Sequence, residues 1–220
     1  MTERLPLFPL GTVLFPGLVL PLHLFEERYR LLMRHLLERP EPRRLGVVGI
    51  ELGREVGDTT GLRLAEVGCV AEIQGVDGRP DGRYDIVTVG AGRFRIKELD
   101  RTLPYLRGEV EFLPEDPGAD PGPAAHRVRL LFQLYRHRLA AAGAEIAEPV
   151  DLPEDPVRLS YLIAAAVVLD GHDKQRLLEA EDATLRLHAE QDLLLRENRL
   201  LNAMPTVPAG QFLDTSFNPN

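Results

Sequence analysis

The chain has a single cysteine, Cys69, only two lysines, Lys97 and Lys174, and only two serines, Ser160 and Ser216. One cysteine excludes an internal disulfide, so nothing asks for an oxidising compartment, and the expected location is the cytoplasm. Lys97 lies between Ile96 and Glu98, and Lys174 between Asp173 and Gln175. No Gly-Lys-Ser/Thr phosphate loop can therefore be written, which excludes P-loop ATP hydrolysis. Ser160 falls in an apolar helical stretch and Ser216 close to the C-terminus; neither occupies a nucleophile elbow. The histidines, His23, His35, His126, His137, His172 and His188, are scattered without a His-Glu-x-x-His pair. With one cysteine to help them, they do not make a zinc set. Basic charge is also short: 26 Lys and Arg face 34 Asp and Glu, a net charge of −8. That argues against nucleic acid, because phosphate-backbone affinity comes from counterions released by a basic face. The most apolar later run, Tyr161 to Leu169, is far below the roughly 20 residues that span a bilayer, so no membrane span is expected. Pro6, Pro9, Pro16 and Pro21 break the helical core that a secretory leader needs, Arg4 sits beside Glu3, and no small-residue cleavage motif follows.

What remains is an ordinary globular composition: 220 residues, 44% apolar and 27% charged, with 19 glycines and 18 prolines. The pattern changes near Leu113. Before it, short β-like runs (45–52, 68–74, 84–89, 93–99 and 106–113) alternate with Gly/Pro punctuation, which predicts a closed or curled sheet. Two Asp-Gly pairs within Val76 to Arg83 predict a hairpin loop. One helix interrupts these runs over 25–38, with Phe25, Tyr29, Leu32 and Leu36 as its apolar stripe. The proline-rich stretch 114–123 is expected to link two domains. Beyond it the period becomes helical over 124–204. Val128, Leu131 and Tyr135 mark one helix ending at Gly143, and Asp155-Pro156 caps the next. A short helix over 172–180 and a longer one over 184–202 complete a bundle. Residues 205–220 have the composition of a tail. Leu187, Leu194 and Leu201 recur every seventh residue, but Glu190 and Glu197 take the partner positions. That predicts a packing seam, not a zipper.

Three weaker chemical signals have structural readings. Gly90-Ala91-Gly92 follows a strand as a dinucleotide loop would, yet the alternation of Phe94 and Ile96 with Arg93, Arg95 and Lys97 predicts a turn between two strands. Glu179, Glu181 and Asp182 lie between two helices, where caps are expected. Cys69 alternates inward with Ala71 and Ile73, as a small buried hydrophobe does.

The N-terminal segment Leu14, Phe15, Leu18, Val19, Leu20 and Leu22 is interleaved with Pro16, Gly17 and Pro21. These breakers limit regular pairing, so part of this apolar surface is expected to line a groove. Leu14, Phe15, Pro16, Gly17, Leu18 and Pro21 are the candidate polypeptide-binding residues, with Phe15 and its turn the most exposed. The alternative is that these side chains form the barrel core.

An ordered series of motifs then carries a family resemblance: Leu5-Pro6-Leu7-Phe8-Pro9-Leu10, Val13-Leu14-Phe15-Pro16-Gly17, Leu20-Pro21-Leu22 and Phe25-Glu26-x-Arg28-Tyr29. Gly53-Arg54-Glu55-Val56-Gly57, Glu66-Val67-Gly68-Cys69-Val70, Asp81-Gly82-Arg83-Tyr84, Pro104-Tyr105-Leu106 and Lys174-Gln175-x-Leu177-Leu178-Glu179 continue it. The sequence resembles the N-terminal, substrate-binding domain of the Lon protease family. The resemblance implies an α+β fold: a PUA-like β-barrel over 1–113 followed by a C-terminal helical bundle. It also implies recognition of unfolded or client polypeptides, as a stand-alone domain without the ATPase and Ser-Lys peptidase parts. The expected function is a noncatalytic adaptor in proteolysis or quality control, working beside a separate protease, with no cofactor and no metal. The alternative is a PUA-like RNA or small-molecule binder, for which Arg93, Arg95 and Lys97 would supply a basic strip.

Overall fold

The structure, a computed structural model, describes residues 2–53, 61–145 and 151–203. The expected tail over 205–220 and Arg54 to Gly57 of the family motif lie outside the described residues. Six strands, β1 (Thr2–Leu10), β2 (Val19–Leu24), β3 (Arg44–Leu52), β4 (Arg63–Gly78), β5 (Tyr84–Asp100) and β6 (Arg107–Phe112), form one sheet in the order β2-β5-β4-β3-β1-β6. A further pairing of β6 with the second half of β5 closes five of them into a barrel. The sixth, β2, pairs among the described residues only with the first half of β5, from Val19 opposite Val89 to Leu24 opposite Tyr84. Closure works because β5 is 17 residues long, enough to serve two partners in succession.

Two sequence expectations change here. Gly90-Ala91-Gly92 is not a turn but part of β5, and the ladder to β4 shifts register there, between Cys69 and Ala71. A bulge bends a strand without ending it, and small residues allow the bend. The proline-punctuated stretch 19–24 forms a regular strand despite Pro21.

Helix α1 (Glu27–Leu37) closes one end of the barrel. Its buried Tyr29, Leu32, Met33 and Leu36 pack on Phe8, Leu24, Leu45 and Cys69. Phe25, expected in that stripe, precedes the helix and is 46% exposed. The opposite core of the barrel is built around Leu7, Phe94 and Val110. Gly68 makes room for it: a methyl group there would lie 2.5 Å from the Phe94 ring.

The helical part comprises α2 (Pro121–Ala141), α3 (Pro156–Ala166), α4 (Gly171–Glu179) and α5 (Ala183–Ala203). Helix α2 begins inside the stretch read as a linker, because Pro121 and Pro123 sit in the first turn, where a missing N–H costs nothing. Gly143 follows α2 with a φ of +87°, and the Asp155 carboxylate caps α3 by accepting from Arg158 N–H at 3.1 Å. The Thr184 hydroxyl donates to Pro117 O just before α2 begins, and Asn198 Nδ2 to Leu131 O near its middle. Helices α2 and α5 therefore run side by side in the same direction. The heptad leucines of α5 do pack as a seam, with Leu187 and Leu194 buried against Val128, Phe132 and Tyr135.

Candidate functional site

The six candidate residues divide by burial. Phe15, expected to be the most exposed, is 1% exposed, and Leu14 is buried beside it. The Phe15 ring enters a core shared by barrel and helices: Val67 of β4, Tyr161 and Ala164 of α3, and Leu177 and Leu178 of α4. Its centroid is 6.2 Å from that of Tyr161. Its backbone is held equally closely: a methyl group on Gly90 would lie 2.3 Å from the Phe15 carbonyl oxygen. Gly17, at a φ of +82°, turns the chain so that its N–H reaches Gly90 O at 2.8 Å, and Gly90 N–H donates to Leu18 O at 2.8 Å. Phe15 is thus the peg that seats the helices on the barrel. Sequence reading missed this because the surface that buries Phe15 comes from helices about 150 residues away in the chain. Pro16 and Leu18 are half-buried, and Gly17 and Pro21 are exposed.

Arg93 locks the same joint. It is 2% exposed, not part of an open basic strip, and its guanidinium donates to the carbonyls of Leu178 (3.0 Å), Pro114 (3.1 Å) and Ala180 while facing Glu115 at 3.3 Å. The Leu178 and Ala180 carbonyls lie at the end of α4, where unpaired carbonyls and the helix dipole favour a cation. Of the other two cations in the expected strip, Lys97 pairs with Glu111 at 2.5 Å. The Tyr161 hydroxyl bonds to the second Glu115 oxygen, and burial pushes that hydroxyl's pKa up. Arg186 of α5 lies over the Tyr161 ring at 4.0 Å and donates to Leu177 O and Ser160 Oγ. One turn along α5, Glu190 is fully buried with neither carboxyl oxygen hydrogen-bonded, and burial raises its pKa well above the ordinary value.

The open apolar surface lies next to the predicted segment, on the outer face of β2, β5 and the end of β4. Val19 is 64% exposed and Val87 44% exposed. A shallow groove of about 550 Å³ is lined by Pro21, His23, Val76, Asp77, Asp85 and Val87. Cross-strand register explains the row: Val19 faces Val89, Pro21 faces Val87 and His23 faces Asp85, so these side chains share one face. Leu22, Leu24 and Ile86 point the other way into the core. One end of the groove is polar. His23 Nδ1 lies 2.5 Å from Asp85 Oδ1, and Arg79 Nε donates to Asp85 Oδ2 at 2.6 Å. The His23 hydrogen bond, then that of Arg79, hold the Asp85 carboxyl below the usual carboxylate range. The His23 ring stacks on Phe25 with centroids 5.9 Å apart. Val87 and His23 escaped sequence reading, and Val19 was placed in the groove-lining segment but not among the candidate binding residues. Their signal was the alternation of Ile86 and Thr88 with Val87 and Val89, which places two valines away from the core.

A second depression of about 430 Å³ lies between barrel and helices, lined by Gly11, Val13, Ile50, Ala65, His172 and Gln175 among others. Among the described residues no group of three or more His, Cys, Asp or Glu could hold a metal ion. Asp182 accepts from Leu185 N–H at 2.7 Å as a helix cap, and Glu179 accepts from Gln175 Nε2 at 2.8 Å. Cys69 is buried, and burial pushes its thiol pKa up, away from the reactive thiolate. No described helix is long and apolar enough to cross a membrane.

Fold and surface define an α+β barrel domain with a helical extension docked on it, presenting an apolar, open-edged sheet face. The ATP-dependent protease La (LON) substrate-binding domain matches residues 4–196, and the chain belongs to that family. It is 30% identical over 190 residues to Lon protease 2 of Syntrophobacter fumaroxidans, covering 85% of this chain and 24% of that protein. It is 29% identical over 208 residues to Lon protease 2 of Myxococcus xanthus, covering 90% and 24%. The chain thus spans about a quarter of the length of these curated relatives, and the match does not extend to their ATPase and protease parts. The fold is that of the N-terminal domain of Mycobacterium avium complex Lon protease, with a TM-score of 0.64 at 24% identity over 90% of this chain and 98% of that one. It is also that of a Lon N-terminal domain protein from Xanthomonas campestris, with a TM-score of 0.59 at 23% identity over 92% and 99%.

Proposed function

We propose that this chain is a noncatalytic, cytoplasmic polypeptide-binding module that holds apolar segments of unfolded client proteins and acts as an adaptor for a separate protease. The observation that supports this most directly is the exposed valine row around the β2–β5 groove. Apolar surface gathered on one sheet face is a contact site, and shallow open walls suit many sequences in place of one ligand. Family membership supports a role in substrate recognition. Of the residues singled out from sequence, Pro21 lines the groove, while Leu14 and Phe15 are buried in the cores and do not reach it. RNA is the poorer reading, because Arg93 is buried and Lys97 is paired.

The test is fluorescence anisotropy with a labelled, permanently unfolded probe such as reduced and alkylated lysozyme, without ATP. The double substitution Val19→Asp and Val87→Asp should weaken binding at least about tenfold, since two buried aliphatic contacts are replaced by charge. Thermal melting should be unchanged. A protein that binds no unfolded chain refutes the reading, and a pure preparation that cleaves casein refutes its noncatalytic part.

A further inference from the structure

The edge of the sheet beside the groove has a property that the face alone does not. Among the described residues, strand β2 pairs on one side only, with β5. Gly90 N–H donates to Leu18 O, and the Thr88 hydroxyl donates to Leu20 O at 2.9 Å, so the even-numbered residues of this segment aim their backbone groups at β5. In an antiparallel pair the backbone groups alternate sides. Val19, Pro21 and His23 therefore aim theirs at the open edge. Pro21 confirms the parity, because a proline is accepted in a strand where its missing N–H would face outward. It also explains how a regular strand forms across a proline. The edge offers N–H and C=O from Val19 and His23 and C=O alone from Pro21.

We propose that extended client segments bind by adding a seventh strand to the open edge of β2, with alternate side chains continuing the Val19–Pro21–His23 row. This rests on the polypeptide-binding reading and specifies its mode. A row of unpaired backbone donors and acceptors is complemented by another extended backbone and by little else. The occupant is a neutral or basic unfolded segment and not a second copy of this chain. A copy would bring a second charge of −8, and two-fold antiparallel pairing of β2 with itself centred on Pro21 would set one Pro21 opposite the other, with no donor at the centre. The proline also limits the edge to a short ladder. That keeps client binding reversible and guards the free protein against edge-to-edge association.

The probe is a soluble ten-residue peptide alternating valine and threonine with a terminal lysine, synthesised with N-methyl groups on all valines or on all threonines. Successive N–H groups point to opposite edges of a strand, so one methylated peptide should lose at least about tenfold in affinity and the other little. Pro21→Val restores a donor and should tighten binding of the unmethylated peptide about fivefold; Val19→Pro removes one and should weaken it by a similar factor. If both methylated peptides bind like the parent, or Pro21→Val leaves affinity unchanged, strand addition is overturned while face binding stands. If no peptide and no unfolded protein binds, the underlying reading fails instead. Should sedimentation show a dimer that Val19→Pro splits, the occupant is a second copy and the proposal is overturned.

Discussion

Replacing Phe15 by alanine separates its two readings, surface contact and structural peg, by a wide margin. The ring is 1% exposed and surrounded by Val67, Tyr161, Ala164, Leu177 and Leu178. Its removal forfeits the transfer free energy of the aromatic ring and leaves a cavity. The cavity walls are poorly placed to close: Gly90 already touches the Phe15 backbone, and Arg93 pins the end of α4 from the other side. A buried Phe→Ala change costs about 3–5 kcal/mol. For a domain of this size, at about 2–4 °C per kcal/mol, the melting temperature should fall by about 6–20 °C. An exposed contact residue would cost about 0.5 kcal/mol or less. Calorimetry on wild type and variant measures the difference, and amide exchange locates it: protection should drop in 157–166 and 171–179, the helices that close over the ring. A variant that melts within a degree or two of wild type yet no longer binds unfolded chains would refute the assignment of Phe15 as the peg and return it to the binding surface.

Gly90→Ala should destabilise by about 2 kcal/mol or more, since the new methyl meets a backbone carbonyl at 2.3 Å and neither strand can step aside without losing ladder bonds; denaturant titration checks it. Arg93→Lys keeps the charge but loses the planar fork that reaches several carbonyls at once, and should cost about 2–3 kcal/mol in the same measurement. Glu190→Gln should flatten the pH dependence of stability. The carboxyl holds its proton more tightly in the folded than in the unfolded chain, so its contribution is fully present below the ordinary value of 4.5 and is lost as pH rises through the raised folded value. The wild-type urea midpoint should therefore fall as pH rises above 4.5 relative to the variant, and parallel profiles would contradict a buried carboxyl without a hydrogen bond.

The change of period near Leu113, the caps at Asp155 and Gly143 and the inward face of Cys69 were all legible from local pattern, because each depends on residues within one or two turns of chain. Closure of the barrel was not. It requires β5 to pair with β2 and then with β6, and strand partners distant in sequence leave no local signal. The irregular N-terminal segment was legible in place but not in orientation. Apolar residues among prolines do mark 14–22 as unusual, yet whether Phe15 or Val19 faces water depends on where the helices dock.

The amino-acid order alone determined the class of molecule. One cysteine, two lysines and two serines leave no Gly-Lys-Ser/Thr phosphate loop and no internal disulfide, and the ordered N-terminal motifs bring it close to one family. Only the tertiary structure decided which apolar side chains are glue and which are surface. Phe15 and Arg93 carry the features of exposed binding residues in sequence and become the joint between barrel and helices. Val19 and Val87 carry the features of core and stay in solvent. The physical reason is that burial is a property of what packs against a residue, and the neighbours that settle it here arrive from elsewhere in the chain.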